Sequence, residues 1–149
     1  MKYLSQSSNA TKKTAAKIAG DILADGPHKK HARVVALVGD LGAGKTTFAQ
    51  GFAKALGIKN RMTSPTFLIF RTYELKAKNF HSFFHMDAYR IDNPKELKPL
   101  GFKDALKDPG HIFLIEWADK IKEILPKDTI WVHFSHGRKA SERIIAYRR

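Results

Sequence analysis

The tightest constraint on this chain is a glycine-rich octapeptide set between an apolar run and a helical pattern. Val34-Val35-Ala36-Leu37-Val38 is short, apolar and rich in β-branched residues, so it reads as a buried strand. Directly after it, Gly39-Asp40-Leu41-Gly42-Ala43-Gly44-Lys45-Thr46 fits the phosphate-loop pattern G-x-x-x-x-G-K-[S/T]. Glycines at 39, 42 and 44 allow a tight backbone path whose N–H groups point inward at phosphate oxygens. Lys45 is spaced to reach the β- and γ-phosphates and Thr46 to ligate magnesium. The helix that begins at Lys45, with Thr47 in its first turn, aims its positive dipole end at the same anion. The octapeptide and Thr47 therefore predict a site for a nucleoside triphosphate such as ATP, with Mg2+. By composition the pattern arises in roughly one chain of this length in a few hundred, and the strand before and helix after lower that further. A plain glycine turn between strand and helix is the competing reading, and the context disfavours it.

The remaining pattern is one of helices alternating with apolar strands. Tyr3 to Gln6 suits a short edge strand. Ser7-Ser8-Asn9 offers cap chemistry for a helix from about Thr11 to Leu23, with Ala15, Ile18, Ala19, Ile22 and Leu23 forming its apolar stripe. The helix after the phosphate loop runs to Leu56, and Gly57 fits a left-handed C-terminal residue. Thr63-Ser64-Pro65-Thr66 is a polar loop. Phe67 to Leu75 and Phe80 to His85 read as strands flanking a turn, Asn93-Pro94 as a helix start, and Ile112 to Ile115 as a second fully apolar strand. Ile130 to Phe134 and Arg143 to Tyr147 suit a final hairpin around His136-Gly137-Arg138. The predicted class is α/β, with a mixed, mostly parallel central sheet flanked by helices, and residues 1–149 forming one domain. A nucleotide is expected at the carboxyl ends of the strands.

Composition narrows the function classes. No apolar run approaches the length needed to span a membrane. The opening Met-Lys-Tyr-Leu-Ser-Gln-Ser-Ser lacks an apolar signal segment. The absence of cysteine removes disulfides, thiol catalysis and thiolate zinc sites. A cytoplasmic location is the expectation. Twenty-seven Lys and Arg against 14 Asp and Glu give a net charge of +13. The basic residues are spread along the chain and do not interleave with aromatics as a stacking platform would. They read first as a solvated surface, and second as attraction to a polyanion such as RNA.

Magnesium needs oxygen ligands, and phosphate-loop enzymes usually supply an acid at the end of a buried strand beside the loop. Glu116 follows Ile112–Ile115 immediately, and Asp87 follows Phe83-Phe84-His85-Met86. A strand-end acid is costly to desolvate without a cation or donor partner, which makes both candidates. A lysine-paired carboxylate at 116, and a turn cap or Arg90 partner at 87, are the structural alternatives. His85 sits on the same side of an extended chain as Asp87. A hydrogen-bonded core histidine is the preferred reading there over a metal ligand. Ser64 and Thr66 lie in a loop like the switch segments that sense a γ-phosphate. Strand alternation would turn Trp117 away from Glu116, which suits core packing.

Taken in order, G-D-L-G-A-G-K-T-T-F, S-P-T-F, H-M-D-A-Y-R, E-L-K-P-L-G-F and L-I-E-W resemble the TsaE (YjeE) family. These are small bacterial ATPases of tRNA threonylcarbamoyladenosine biosynthesis. The resemblance runs from about Ser7 to Arg143. It implies a P-loop NTPase fold and two partner proteins, TsaB and TsaD, which build the modification on adenosine 37 of tRNA. TsaD performs the transfer, and slow ATP hydrolysis by TsaE resets the TsaB–TsaD assembly. Contact with tRNA would then be indirect, and no membrane is involved. The resemblance further implies Mg2+ held at Thr46 and Glu116, and Asp87 needed for hydrolysis alongside Lys45. It places the Ser7–Thr11 segment, with Ser8 and Thr11, and Gly137-Arg138 near the nucleotide base, and Trp117 close to the site. Thr66 would join these as a nucleotide contact.

Two other functions fit a phosphate loop. A small-molecule or nucleotide kinase usually carries a lid with several arginines around the transferred phosphate. Here only Arg71 and Arg90 lie in the middle of the chain. A nucleotide-gated RNA-binding module draws its support from charge alone, and steep salt dependence of tRNA binding would distinguish it.

Overall fold

A computed structural model describes residues 1–40, 42–60, 62, 69–77 and 79–148. The expected residues Leu41, Ser64 and Thr66 lie outside that set. Seven strands form one sheet: β1 (Lys2–Ser5), β2 (Arg33–Val38), β3 (Phe70–Ala77), β4 (Phe80–Asp87), β5 (His111–Glu116), β6 (Ile130–His136) and β7 (Arg143–Arg148). Their order is β1-β7-β6-β2-β5-β4-β3. The four central strands β6, β2, β5 and β4 are parallel to one another. The pairings β1–β7, β6–β7 and β3–β4 are antiparallel. The fold is thus mixed α/β, but only its centre is parallel. The reason is local: β3–β4 and β6–β7 are hairpins, and a short connection reverses the chain.

Helices α1 (Ser8–Asp25) and α2 (Lys45–Ala55) cover one face. Ser7 is the N-cap of α1, its hydroxyl accepting the Ala10 N–H at 3.1 Å. The helix therefore starts three residues earlier than the apolar stripe alone suggests. Ala15, Ile18, Ala19 and Ile22 are buried as expected, while Leu23 is only partly covered. Under α2 lie Phe48 and Phe52, packed with Phe83 and Phe134 from the sheet. At Gly51 the two helices touch backbone to backbone, because a Cβ there would sit 2.6 Å from the Lys12 Cα.

The other face packs against shorter pieces: a 3-10 helix Pro94–Leu100, helix α3 (Phe102–Leu106) and a 3-10 helix Ala118–Ile124. Asn93 caps the first as expected, accepting the Lys95 N–H at 3.0 Å. The segment is 3-10 rather than α, with Pro99 in its last turn removing a donor and Gly101 ending it at φ 70°. Leu97, Phe102, Phe113 and Ile121 fill this second core.

Three strands end level where the site forms. In register, Glu116 of β5 lies beside Leu37 of β2 and beside Asp87 of β4.

Candidate active site

The chain leaves β2 at Val38, turns through Gly39 to Gly44, and enters α2 at Lys45. Two glycines carry this turn. A Cβ on Gly39 would meet the Phe134 carbonyl oxygen at 2.7 Å, so only glycine lets β2 leave beside β6. Gly44 adopts φ 100° as the residue before α2, a region strained for any side chain. Asp40 is exposed at the outer edge, and Ala43 is buried with its N–H donated to the Asp40 carbonyl at 3.1 Å.

Lys45 is the buried cation of the turn. Its ammonium donates to the Gly39 carbonyl and to the Asp40 carbonyl, the latter at 2.8 Å. It lies 4.2 Å from the centre of the Trp117 ring, a cation–π contact. Burial pulls its pKa below the ordinary lysine value, and the carboxylates of Glu116, Asp40 and Asp87 oppose that shift. A desolvated ammonium held only by carbonyl dipoles and a ring face gains strongly from an arriving anion.

Glu116 is buried and divides its carboxylate between two partners. Oε2 lies 2.7 Å from His85 Nε2, and Oε1 faces the Thr46 hydroxyl at 3.5 Å. The close contact with the carboxylate assigns the histidine proton to Nε2. His85 Nδ1 is buried and lacks a partner among the described residues. His85 is thus the hydrogen-bonded core histidine the sequence suggested, and its partner is the candidate metal ligand. Asp87, half-buried at the same level, accepts the Tyr89 N–H at 2.9 Å. Adjacent ligands of an octahedral Mg2+ lie about 3 Å apart. The Thr46–Glu116 separation of 3.5 Å is close enough for a small side-chain shift or an intervening water to complete such a pair.

Other expected residues fall as follows. Trp117 does not continue the strand alternation: it takes a left-handed φ of 56°, which brings its ring beneath Lys45 and 5.0 Å from Tyr89. Thr47 is half-buried in the first turn of α2. Ser8 is exposed, whereas Thr11 is buried with its hydroxyl 2.7 Å from that of Ser5. Ser5 pairs with Arg143 across β1 and β7, so the start of α1 lies at the loop end of the sheet. Arg138 is exposed in the β6–β7 turn. Arg143 is a residue that sequence reasoning missed. Its Nε donates to the Gly42 carbonyl at 3.2 Å, and its Nη1 to the Ala140 carbonyl at 2.6 Å. It ties the glycine turn to the final hairpin, and only the β6–β7 register could have revealed that.

Fold and site together define a class: mixed α/β proteins in which a central parallel strand feeds a glycine-rich turn capped by a Lys-Thr pair at a helix start. Within that class the assignment is specific. The profile described as "Threonylcarbamoyl adenosine biosynthesis protein TsaE" matches residues 5–145, and the chain belongs to the TsaE family. The chain is 37% identical over 109 residues to the Haemophilus influenzae tRNA threonylcarbamoyladenosine biosynthesis protein TsaE, covering 73% of this chain and 66% of that one. It is 44% identical over 101 residues to the same-named protein of Rickettsia conorii, covering 67% and 55%. For Bacillus subtilis TsaE the identity is 41% over 99 residues, covering 66% and 59%. The chain thus spans about 55–66% of the length of these relatives. The crystal structure of Bacillus subtilis YdiB superposes with a TM-score of 0.75 at 31% identity, covering 99% of this chain and 83% of that one.

Proposed function

We propose that this chain is a P-loop ATPase that binds ATP with Mg2+, hydrolyses it slowly, and supports threonylcarbamoyladenosine formation at position 37 of tRNA. The observation that carries the reading is the Lys45 ammonium, buried against the Gly39 and Asp40 carbonyls at the head of α2 and facing the Glu116 end of β5. In the proposed bound state, Lys45 turns from those carbonyls to the β- and γ-phosphates. The backbone N–H groups of residues 42–46 take the remaining phosphate oxygens. Bound Mg2+ would supply charge neutralisation for the phosphates. Thr46 and Glu116 are the residues to hold it, with His85 fixing the Glu116 carboxylate. Asp87, level with Glu116 in the register, would orient the attacking water.

The geometry around Arg143 supports slow turnover. Arg143 is engaged with the Gly42, Ala140 and Glu142 carbonyls. It is therefore committed to structure, unlike the arginine fingers that speed phosphoryl transfer by roughly 10³–10⁵. Partner proteins TsaB and TsaD would complete or read the site, with Ser64 and Thr66 as γ-phosphate sensors and tRNA contacted indirectly. Among the described residues no helix is long and apolar enough to cross a membrane.

The test is a reconstituted assay of threonylcarbamoyladenosine formation over many turnovers with TsaB and TsaD. Wild type is expected to sustain turnover, and Lys45→Ala to stop after the first cycle. Equal turnover would remove the nucleotide cycle from the function. Rapid phosphorylation of a metabolite by the chain alone would install a kinase in its place.

A further inference from the structure

At the amino ends of β4 and β5, the pole opposite the glycine turn, His81, Asp108 and His111 converge. His81 is the second residue of β4, His111 the first of β5, and Asp108 sits in the turn that precedes it. His81 Nε2 lies 3.2 Å and His111 Nε2 lies 3.4 Å from the same atom, Asp108 Oδ2. All three ligand atoms fall within 4.8 Å of one another. A tetrahedral zinc ion with ligands at about 2.0–2.1 Å has edges of about 3.3–3.4 Å. The two measured edges match that.

The hydrogen bonds around the group set which atoms are available. His111 Nδ1 donates to the Ala105 carbonyl at 2.9 Å. His81 Nδ1 lies 3.0 Å from the Ser82 hydroxyl, and its Nε2 lies 3.2 Å from Asp108 Oδ1 as well as from Oδ2. His111 therefore keeps its proton on Nδ1 and turns an Nε2 lone pair toward Asp108, and His81 does the same when its Nδ1 donates to Ser82. Asp108 Oδ1 accepts the Gly110 N–H at 2.8 Å, which leaves Oδ2 as the open ligand atom. That backbone bond is the main cause holding the Asp108 carboxyl below its ordinary range. With His81 in its Nδ1–H tautomer, two lone pairs and an anion face one point, an arrangement that a cation between them would match. A proton bridges one nitrogen–oxygen pair at a time, and a divalent ion serves all three atoms. Gly110 makes the approach possible, because a Cβ there would overlap the His81 ring.

A second group, His28, His31 and Asp128, is arranged differently. There His28 Nδ1 accepts the Lys30 N–H at 3.2 Å, so its proton is on Nε2, facing Asp128. The two rings stack at 4.0 Å, and the nitrogens face different carboxylate oxygens. His31 Nδ1 donates to the Ala32 carbonyl at 2.8 Å, so one lone pair is turned toward Asp128 while the His28 N–H answers the other carboxylate oxygen.

We propose that His81, Asp108 and His111 form a binding site for Zn2+ or a similar borderline first-row divalent ion, with water in the fourth position. The ion would pin the start of β4 to the turn that enters β5, far from the nucleotide loop. Nucleotide-free, chelator-treated full-length protein is dialysed against Zn2+, and separately titrated with Co2+. One Zn2+ per chain and the intense visible absorption of tetrahedral Co2+ are expected. His111→Ala and Asp108→Asn should each weaken Zn2+ binding at least tenfold. Gly110→Ala, which keeps all three ligands but forces the His81 ring aside and crowds Asp108 Oδ1, should weaken it as well. His28→Ala and Glu116→Gln should leave it unchanged, and circular dichroism checks that each variant is folded. Wild-type binding no stronger than that of folded His111→Ala and Asp108→Asn would overturn the proposal. So would binding lost in His28→Ala or Glu116→Gln instead.

Discussion

Strands β4 and β5 carry a histidine–carboxylate contact at each end, and the two ends behave differently. At the carboxyl ends His85 and Glu116 are sealed at 2.7 Å, with 1% and 4% of their side chains exposed. At the amino ends His81 and Asp108 stand 3.2 Å apart with 58% and 41% exposed. Each pair joins an imidazole to a carboxylate, but the solvent differs. In the sealed pair each partner must satisfy the other, because water cannot. In the open pair water competes for both, and the contact is worth little without a cation to organise it. Burial therefore places the energetic commitment at the end where the glycine turn, Lys45 and Glu116 meet. Substitutions can break that contrast or sharpen it.

The largest effect is expected from Lys45→Ala. A charged donor to phosphate contributes about 1.5–3 kcal/mol per bond, and Lys45 is spaced to reach two phosphates. Calorimetry should show ATP affinity falling about 100-fold or more, with adenosine affinity little changed. Unchanged ATP affinity would remove the phosphate-loop assignment. At the two acids the expected outcomes divide. Glu116→Ala should abolish the magnesium dependence of nucleotide binding, whereas Asp87→Asn should leave ATP bound but unhydrolysed. Magnesium dependence lost in Asp87→Asn would exchange their roles.

Next in size is His85→Ala, which leaves the Glu116 carboxylate buried without its donor. Removing one member of a buried pair costs about 3–5 kcal/mol. Urea denaturation should show a loss near the lower figure, since Thr46 remains in reach. His85→Gln keeps a donor and should lose less. A negligible loss in His85→Ala would mean that the carboxyl end is as wet as the amino end. Of comparable origin but at a distance from the site, Gly51→Ala should cost about 1–3 kcal/mol, because the new Cβ meets the Lys12 backbone.

How much of this was legible depended on sequence distance. The glycine turn, Lys45 and Thr46 are contiguous, so their chemistry could be read without knowing the fold. Glu116 and Asp87 were legible because each ends an apolar strand. The His85–Glu116 contact was not, because it joins positions 31 residues apart through the β4–β5 pairing. Arg143 stayed hidden for the same reason, its contact with Gly42 spanning 101 positions. Trp117 misled differently: alternation holds only while the backbone is extended, and φ 56° ends it. The antiparallel hairpins β3–β4 and β6–β7 were legible, because a short turn joins the two strands of each. The repositioned Trp117 also gives a signal. With Trp131→Phe as background, its emission should change when ATP and Mg2+ draw Lys45 from the ring, and a silent Trp117 would mean that Lys45 does not move.

The smallest effect is expected from Asp108→Asn in metal-free protein. The amide oxygen of the variant side chain would still accept the Gly110 N–H, so the substitution removes charge and little else. The native carboxyl is held below its ordinary value, chiefly by that N–H, so its stabilisation is present above the usual carboxylate pKa of about 3.9. It fades as pH falls through the lowered native value. At pH 7 the full contribution is in place, yet solvent screening at this exposed site keeps it small. Thermal melting at neutral pH should therefore shift by about 1 °C or less, against several degrees for His85→Ala. Adding Zn2+ should raise the melting temperature of wild type and leave Asp108→Asn unmoved, since only a ligand bound to the native state shifts the midpoint. A metal-free loss as large as that of His85→Ala would erase the contrast between the two ends, and would make the amino-end group a structural centre without any ion.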